Sequence, residues 1–385
     1  MISGETKMRI NKWINDVIRI KIARDNKTEN LRLDCAERMY NYDKKFFRSF
    51  LKTLTQEDFI TYPSYKEYDE LKQKIADYIG LEIDNISLGT GSDSCIKDLI
   101  QVTCADGSEI IASSPCFPMY FVYGDTFGAK FVKVPYNEDG TFELSSYMES
   151  VTDETRLVIL TNPNSPYGEH RTAEEIEPLC KFLEDRGIIF LIDEAYVDFA
   201  PSGCIDLVKK YNNVMISRTF SKAWGAAGIR TGYLLANSEL IELISKVQLT
   251  YPVTGVSVKF ASFLIDNHKK VEEYAQATVR DRDKLCKMLE KAGYDVLSAQ
   301  TNTIHFHEKD GDNQKTIEIL EKYGVAFKCG GKLTGTMVNV PMDERGTWIR
   351  LSLGPGIHKT AFMREILGCD LSYQEMIRTW IYPGL

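Results

Sequence analysis

Apolar positions along this chain recur with two different periods. Over Tyr65–Ile79, Leu71, Ile75, Tyr78 and Ile79 return at helical spacing and predict a helix. Residues 8–23 read the same way, with Ile10, Trp13, Ile14, Val17 and Ile18 on one face, and residues 44–53 also read as helical. The middle of the chain then alternates. Short apolar runs at 109–112, 130–134, 157–160, 188–192, 214–217 and 232–235 predict strands, and residues 96–103 and 173–186 predict helices between them. A long helical stretch follows over 261–291. Beyond it the pattern shortens to strands at 303–306, 325–328 and 348–352, punctuated by Gly330-Gly331 and Pro341.

Apolar strands alternating with helices imply an α/β domain whose mainly parallel sheet is covered by helices on both faces. The later, shorter elements imply a smaller α+β domain. The division expected is an N-terminal segment (1–55) joining the small domain, a large domain (56–260) and a C-terminal small domain (261–385). Functional loops in such sheets gather at the carboxyl ends of the strands.

Composition narrows the function. With 385 residues, 43% hydrophobic and 26% charged, the chain is long enough for two or three cores. A formal net charge of -8 argues against nucleic-acid or anionic-membrane partners, though a locally basic pocket for a small anion is compatible with it. The nine cysteines include no CxxC pair and point to reduced thiols. No apolar leader opens the chain and no apolar run approaches membrane-spanning length, so a cytoplasmic protein is expected.

Lys222 is the centre of the chemistry. It follows the strand at 214–217, has Thr219 and Ser221 just before it and Arg230 eight residues on. A desolvated lysine amine attacks aldehydes near neutral pH, and as a free amine it serves as general base. Asp193 ends another apolar strand, where a carboxylate needs a partner such as a protonated pyridine nitrogen. Gly91-Ser92-Asp93 lies before the expected helix, so its free N–H groups favour an anion; Thr219, Ser221 and Arg230 add hydroxyls and a guanidinium. A Schiff base to pyridoxal 5'-phosphate fits this set. Arg350, between apolar neighbours, presents a planar fork suited to a carboxylate or phosphate. His305-Phe306-His307 could suggest a metal, but no matching cluster accompanies it, and a structural strand is the expectation, with no metal site.

Seven segments, in order, resemble the fold-type I pyridoxal-phosphate enzymes, closest to the histidinol-phosphate aminotransferases and threonine-phosphate decarboxylases. They are Tyr62-Pro63, Gly91-Ser92-Asp93, Ser114-Pro115-Cys116-Phe117-Pro118-Met119-Tyr120, Asn162-Pro163-Asn164-Ser165-Pro166-Tyr167-Gly168, Asp193-Glu194-Ala195-Tyr196, residues 218–233, and Trp348-Ile349-Arg350-Leu351-Ser352-Leu353-Gly354. The resemblance implies that Phe117 stacks on the cofactor ring and that Tyr196 donates to its phenolate oxygen. It also implies that Tyr62 reaches the phosphate from a second subunit, hence a homodimer. The family places an asparagine where this chain has Ser165, so either Ser165 or one of Asn162 and Asn164 is expected at the phenolate.

The function expected is an aminotransferase that takes an amino donor and an oxo acceptor, with a phosphorylated substrate. Decarboxylation of an O-phospho-amino acid is the alternative. A non-catalytic binding protein on the same scaffold is disfavoured by the intact Lys222, Asp193, Tyr196 and Arg230.

Overall fold

The computed structural model describes residues 11, 13–14, 17–18, 31–137, 141–297, 299–309, 312–329 and 348–369. Most of the helix expected over 8–23, together with Gly330, Gly331 and Pro341, lies outside the described residues.

Thirteen strands are described: β1 (Leu31–Arg32), β2 (Ile86–Thr90), β3 (Glu109–Ser114), β4 (Lys130–Pro135), β5 (Thr155–Thr161), β6 (Ile189–Asp193), β7 (Val214–Thr219), β8 (Thr231–Leu235), β9 (Tyr294–Leu297), β10 (Thr303–Glu308), β11 (Val325–Ala326), β12 (Lys328–Cys329) and β13 (Ile349–Ser352). Seven form the main sheet in the order β2-β8-β7-β6-β5-β3-β4. The pairs from β7 to β4 are parallel, and β8 runs antiparallel to both β7 and β2. This is the mainly parallel α/β sheet that the alternation predicts. Its inner strands are buried on both faces, which is why Phe190-Leu191-Ile192 and Val214-Met215-Ile216 read as continuous apolar runs.

Helix ends follow local chemistry. The helix Tyr65–Ile79 has the predicted bounds because Ser64 and Glu67 form a reciprocal capping box and Gly80, at φ +74°, closes its last turn. The helix after β2 departs from expectation. It spans Gly91–Thr103, so the Gly-Ser-Asp motif is its first turn rather than a loop before it. The stretch expected over 261–291 is two helices, Gly255–Asp266 and His268–Lys291, broken at Asn267. The strands β2 and β9 were not signalled by alternation, and the run at 325–328 divides into β11 and β12.

The smaller unit is an antiparallel sheet, β12-β13-β10-β9, beside the parallel pair β1-β11. Ile304, Phe306, Ile349 and Leu351 point from one face of this sheet into a core with Leu285, Leu320 and Leu33. The strand period of two therefore places His305, Arg350 and Lys328 together on the opposite face, in cross-strand register. Residues 33–42 run as a strap between the two units. Leu33 N–H bonds Ala326 O, Ser352 N–H bonds Leu33 O, and the Tyr42 hydroxyl bonds Trp224 O. Phe46 and Phe50, on the helix Lys44–Leu51, pack with Phe260 and Phe263 in the core of the large unit.

Candidate active site

The carboxyl ends of β2, β3, β5, β6 and β7 all open on the same edge of the main sheet and bring the candidate residues together. Asp193 is the last residue of β6 and is 4% exposed. Its Oδ1 accepts from the Ser217 hydroxyl at 2.8 Å and the Ala195 N–H at 3.2 Å, and its Oδ2 accepts from the Tyr120 hydroxyl at 2.5 Å. Burial raises its pKa, and the Tyr120, Ser217 and Ala195 hydrogen bonds, with the Lys222 cation, oppose that rise. Tyr120 lacked a role in the sequence reading. Its only signal was a hydroxyl-bearing aromatic in an otherwise apolar helix turn, three residues after Phe117.

Lys222 lies in a closed turn after β7. Gly225 N–H bonds Lys222 O at 2.9 Å, Ala226 N–H bonds Phe220 O at 2.8 Å, and the buried Phe220, Ala223 and Trp224 anchor the turn in the core. Gly225 takes φ +70°, and a Cβ there would lie 2.6 Å from the Arg38 side chain, so the turn requires glycine. Lys222 Nζ donates to Cys35 O at 3.1 Å and sits 5.3 Å from the centre of the Tyr196 ring. Burial of Tyr196 favours the neutral phenol, yet Lys222, Arg350 and a hydrogen bond with Ser165 outweigh it and lower its pKa. Ser165, Tyr196 and Lys222 thus converge on one point. Asn162 and Asn164 are committed elsewhere. Asn162 bonds the Arg171 backbone in both directions; Asn164 bonds the Tyr136 hydroxyl and the Tyr167 N–H. Of the three alternatives left open by the sequence, Ser165 faces the site.

An anion cup forms at the start of the helix Gly91–Thr103. Gly232 on β8 pairs with Thr219, and a Cβ on Gly232 would collide with the Ser92 N–H. A Cβ on Gly91 would come 2.7 Å from the Arg230 guanidinium. Two absent side chains therefore let the helix N–H groups, Arg230 and the hydroxyl pair Thr219–Ser221, bonded at 3.0 Å, close on a common space. Asp93 is half-buried in that first turn, with Oδ1 unpartnered. The Phe117 ring, 36% exposed, packs edge-on against Tyr120 at 5.5 Å. Tyr62 is on the surface, 76% exposed and stacked on Tyr251 at 4.4 Å.

The small unit supplies the far wall. Arg350 Nη2 donates to Asp34 O at 2.9 Å, and its buried Nε has no partner. Lys328, opposite it on β12, was missed by the sequence reading; only the register of a two-residue strand brings it there. Burial and the Arg350 cation push the Lys328 ammonium down to about 8. Among the described residues no group of three His, Cys, Asp or Glu side chains is placed to hold a metal ion. No described helix is long and apolar enough to cross a membrane.

The residues present fit pyridoxal 5'-phosphate: a glycine-lined anion cup, a buried carboxylate, an aromatic face and a lysine amine between them. The family model for class I and II aminotransferases matches residues 38–364, and the chain belongs to that family. It is a pyridoxal-phosphate-dependent transaminase of fold type I. An aromatic amino acid aminotransferase of Mycolicibacterium vanbaalenii is 35% identical over 243 residues, 62% of this chain and 68% of the relative. A histidinol-phosphate aminotransferase of Clostridium novyi is 28% identical over 348 residues, 90% and 93% of the two chains. The crystal structure of histidinol-phosphate aminotransferase from Sinorhizobium meliloti in complex with pyridoxal-5'-phosphate superposes with a TM-score of 0.77 at 22% identity, covering 98% of this chain and 100% of that one.

Proposed function

We propose that this aminotransferase acts on a small amino or oxo substrate that carries a phosphate. The observation behind the proposal is the pairing of Arg350 with Lys328. Two cations on one sheet face, across the site from Lys222, match a substrate with two anionic groups or one dianion. Asp34 is the carboxylate that favours the Lys328 cation, and a second anionic group on the substrate would add to it, which an aromatic side chain does not.

When bound, pyridoxal phosphate supplies an electrophilic carbon and an electron sink. The chain's own groups do the rest. Gly91, Ser92, Thr219, Ser221 and Arg230 would hold the phosphate, Phe117 would cover the ring, and Asp193 would pair with the ring nitrogen. Ser165 and Tyr196 would donate to the phenolate oxygen. Arg350 leaves Asp34 O to take the substrate carboxylate or phosphate. Lys222 Nζ, released from Cys35 O, would act as the general base that takes the proton from the substrate Cα.

A screen of amino donors and oxo acceptors, each phosphorylated compound beside its unphosphorylated or aromatic counterpart, tests the reading. At least tenfold higher kcat/KM for the phosphorylated member is expected, about 1.4 kcal/mol of transition-state binding. Better turnover of aromatic amino acids, or carbon dioxide release without an acceptor, would refute it.

Lys328 gives a second check through pH. It carries its charge below about 8 and loses it above, because its pKa is lowered. KM for the phosphorylated substrate should therefore be flat near pH 7 and rise beyond pH 8. Lys328→Met should show a high KM throughout and no such rise, and Lys328→Arg should stay flat across the range.

The same reading includes a homodimer with shared sites. Phe59 (68%), Ile60 (71%), Tyr62 and Leu249 (73%) are large apolar residues left exposed, a composition typical of an interface rather than a solvated surface. Tyr62→Ala and Lys222→Ala chains, each deficient alone, are mixed and refolded. If Tyr62 serves the second subunit, one site in each hybrid dimer is intact and about a quarter of wild-type activity returns. No recovery would place Tyr62 in its own chain's site.

A further inference from the structure

The motif His305-Phe306-His307 finds no place in the chemistry above, yet His305 sits beside the substrate arginine. It is the cross-strand partner of Arg350 on the antiparallel pair β10–β13, so the two side chains rise from the same face, with Cβ atoms roughly 5 Å apart. His305 is 2% exposed, and its Nδ1 has no hydrogen-bond partner. Arg350 Nε is likewise buried without a partner. A buried acceptor and a buried donor, on directly paired positions, are both unmade in this arrangement. Arg350 meanwhile is anchored through Nη2 on Asp34 O, a carbonyl that a substrate anion would replace.

We propose that His305 is a positioning residue for Arg350: its Nδ1 accepts from Arg350 Nε–H once the guanidinium turns from Asp34 O to the substrate. An Nε–H can only donate, so the imidazole must carry its proton on Nε2 and keep the lone pair on Nδ1. That requires a neutral ring. Burial, and then the Arg350 cation, push the His305 pKa down to about 3, so the ring is neutral throughout the working range. The other strand neighbour, Leu297, offers no competing polar group; on the same face Asp295 faces His307 Nε2 at 3.3 Å, and Lys328 lies beyond Arg350. One hydrogen bond at Nε leaves Nη1 and Nη2 as a fork for a carboxylate or phosphate, and fixes the plane of that fork.

The proposal rests on Arg350 being the substrate anion site. The test uses the holoenzyme and measures by calorimetry the dissociation constant of a dicarboxylate probe, maleate, beside kcat and KM. His305→Leu should weaken maleate binding and raise KM by about tenfold, one hydrogen bond to a charged group, with kcat within about threefold. His305→Asn, whose Oδ1 falls near the imidazole Nδ1, should recover most of that loss. In an Arg350→Lys background, which has no Nε, His305→Leu should add nothing. Equal losses from His305→Leu with and without Arg350, or an Asn variant no better than Leu, would overturn the positioning role. Failure of the underlying reading looks different: Arg350→Lys alone would then leave maleate binding unchanged.

Discussion

Replacing Lys222 by alanine is expected to abolish turnover while the protein still binds its cofactor. The groups proposed to hold the cofactor are placed by hydrogen bonds that do not involve the lysine side chain. The anion cup is built from the start of the helix Gly91–Thr103, Thr219, Ser221 and Arg230, and Asp193, the proposed ring-nitrogen anchor, is fixed by Tyr120 and Ser217. Loss of a positioned general base costs about 10²–10⁴-fold in rate, and loss of the covalent attachment adds to it. The backbone should tolerate the change, because the turn is held by Phe220, Trp224 and the Gly225 and Ala226 N–H bonds rather than by the lysine side chain. Single-turnover kinetics and an equilibrium titration with pyridoxal phosphate check both halves. Borohydride should fix the cofactor to the wild-type chain and not to the variant. A variant that turns over at the wild-type rate would remove Lys222 from the mechanism; one that binds no cofactor would instead show that Lys222 is needed to retain it.

Much of this site was readable before any coordinates because side-chain chemistry at strand ends leaves a mark in sequence. Asp193 after Phe190-Leu191-Ile192 and Thr219-Phe220-Ser221-Lys222 after Val214-Met215-Ile216 are polar groups where an apolar strand stops, and both fall at the carboxyl edge of the sheet. What could not be read was carried by backbone or by register. Asp34 and Cys35 take part through their carbonyl oxygens, which any residue possesses. Lys328 reaches Arg350 only because a two-residue strand pairs with β13. Preferring Ser165 to its asparagine neighbours depends on the bonds that Asn162 makes to the Arg171 backbone and Asn164 to the Tyr136 hydroxyl, which the motif itself does not show. The long helical stretch expected over 261–291 shows the same limit. Apolar period alone runs through Asn267, where the chain breaks into two helices.

Asp193→Asn should reduce kcat/KM by about 10²–10³-fold, because it removes the negative charge that a buried ring cation needs; orphaning one member of a buried pair costs about 3–5 kcal/mol. The substitution is nearly isosteric, so the fold should be preserved, but the amide is a poorer fit to its surroundings. Asp193 accepts three hydrogen bonds, from Tyr120, Ser217 and Ala195, and an amide nitrogen in place of either oxygen would face a donor. Tyr120→Phe separates the two contributions. It keeps the carboxylate and removes one hydrogen bond to it, a loss of about 1.5–3 kcal/mol. With that bond gone, burial acts on Asp193 with less opposition and its pKa moves further upward. The carboxylate is the active form, so activity of Tyr120→Phe should fall off at a higher pH than wild type as the medium is acidified. The kcat/KM profile of the three proteins, with cofactor affinity measured on each, decides the matter. A Tyr120→Phe variant more damaged than Asp193→Asn would mean that the hydroxyl itself touches the reacting groups; an Asp193→Asn variant of wild-type activity would mean that the ring nitrogen is paired elsewhere.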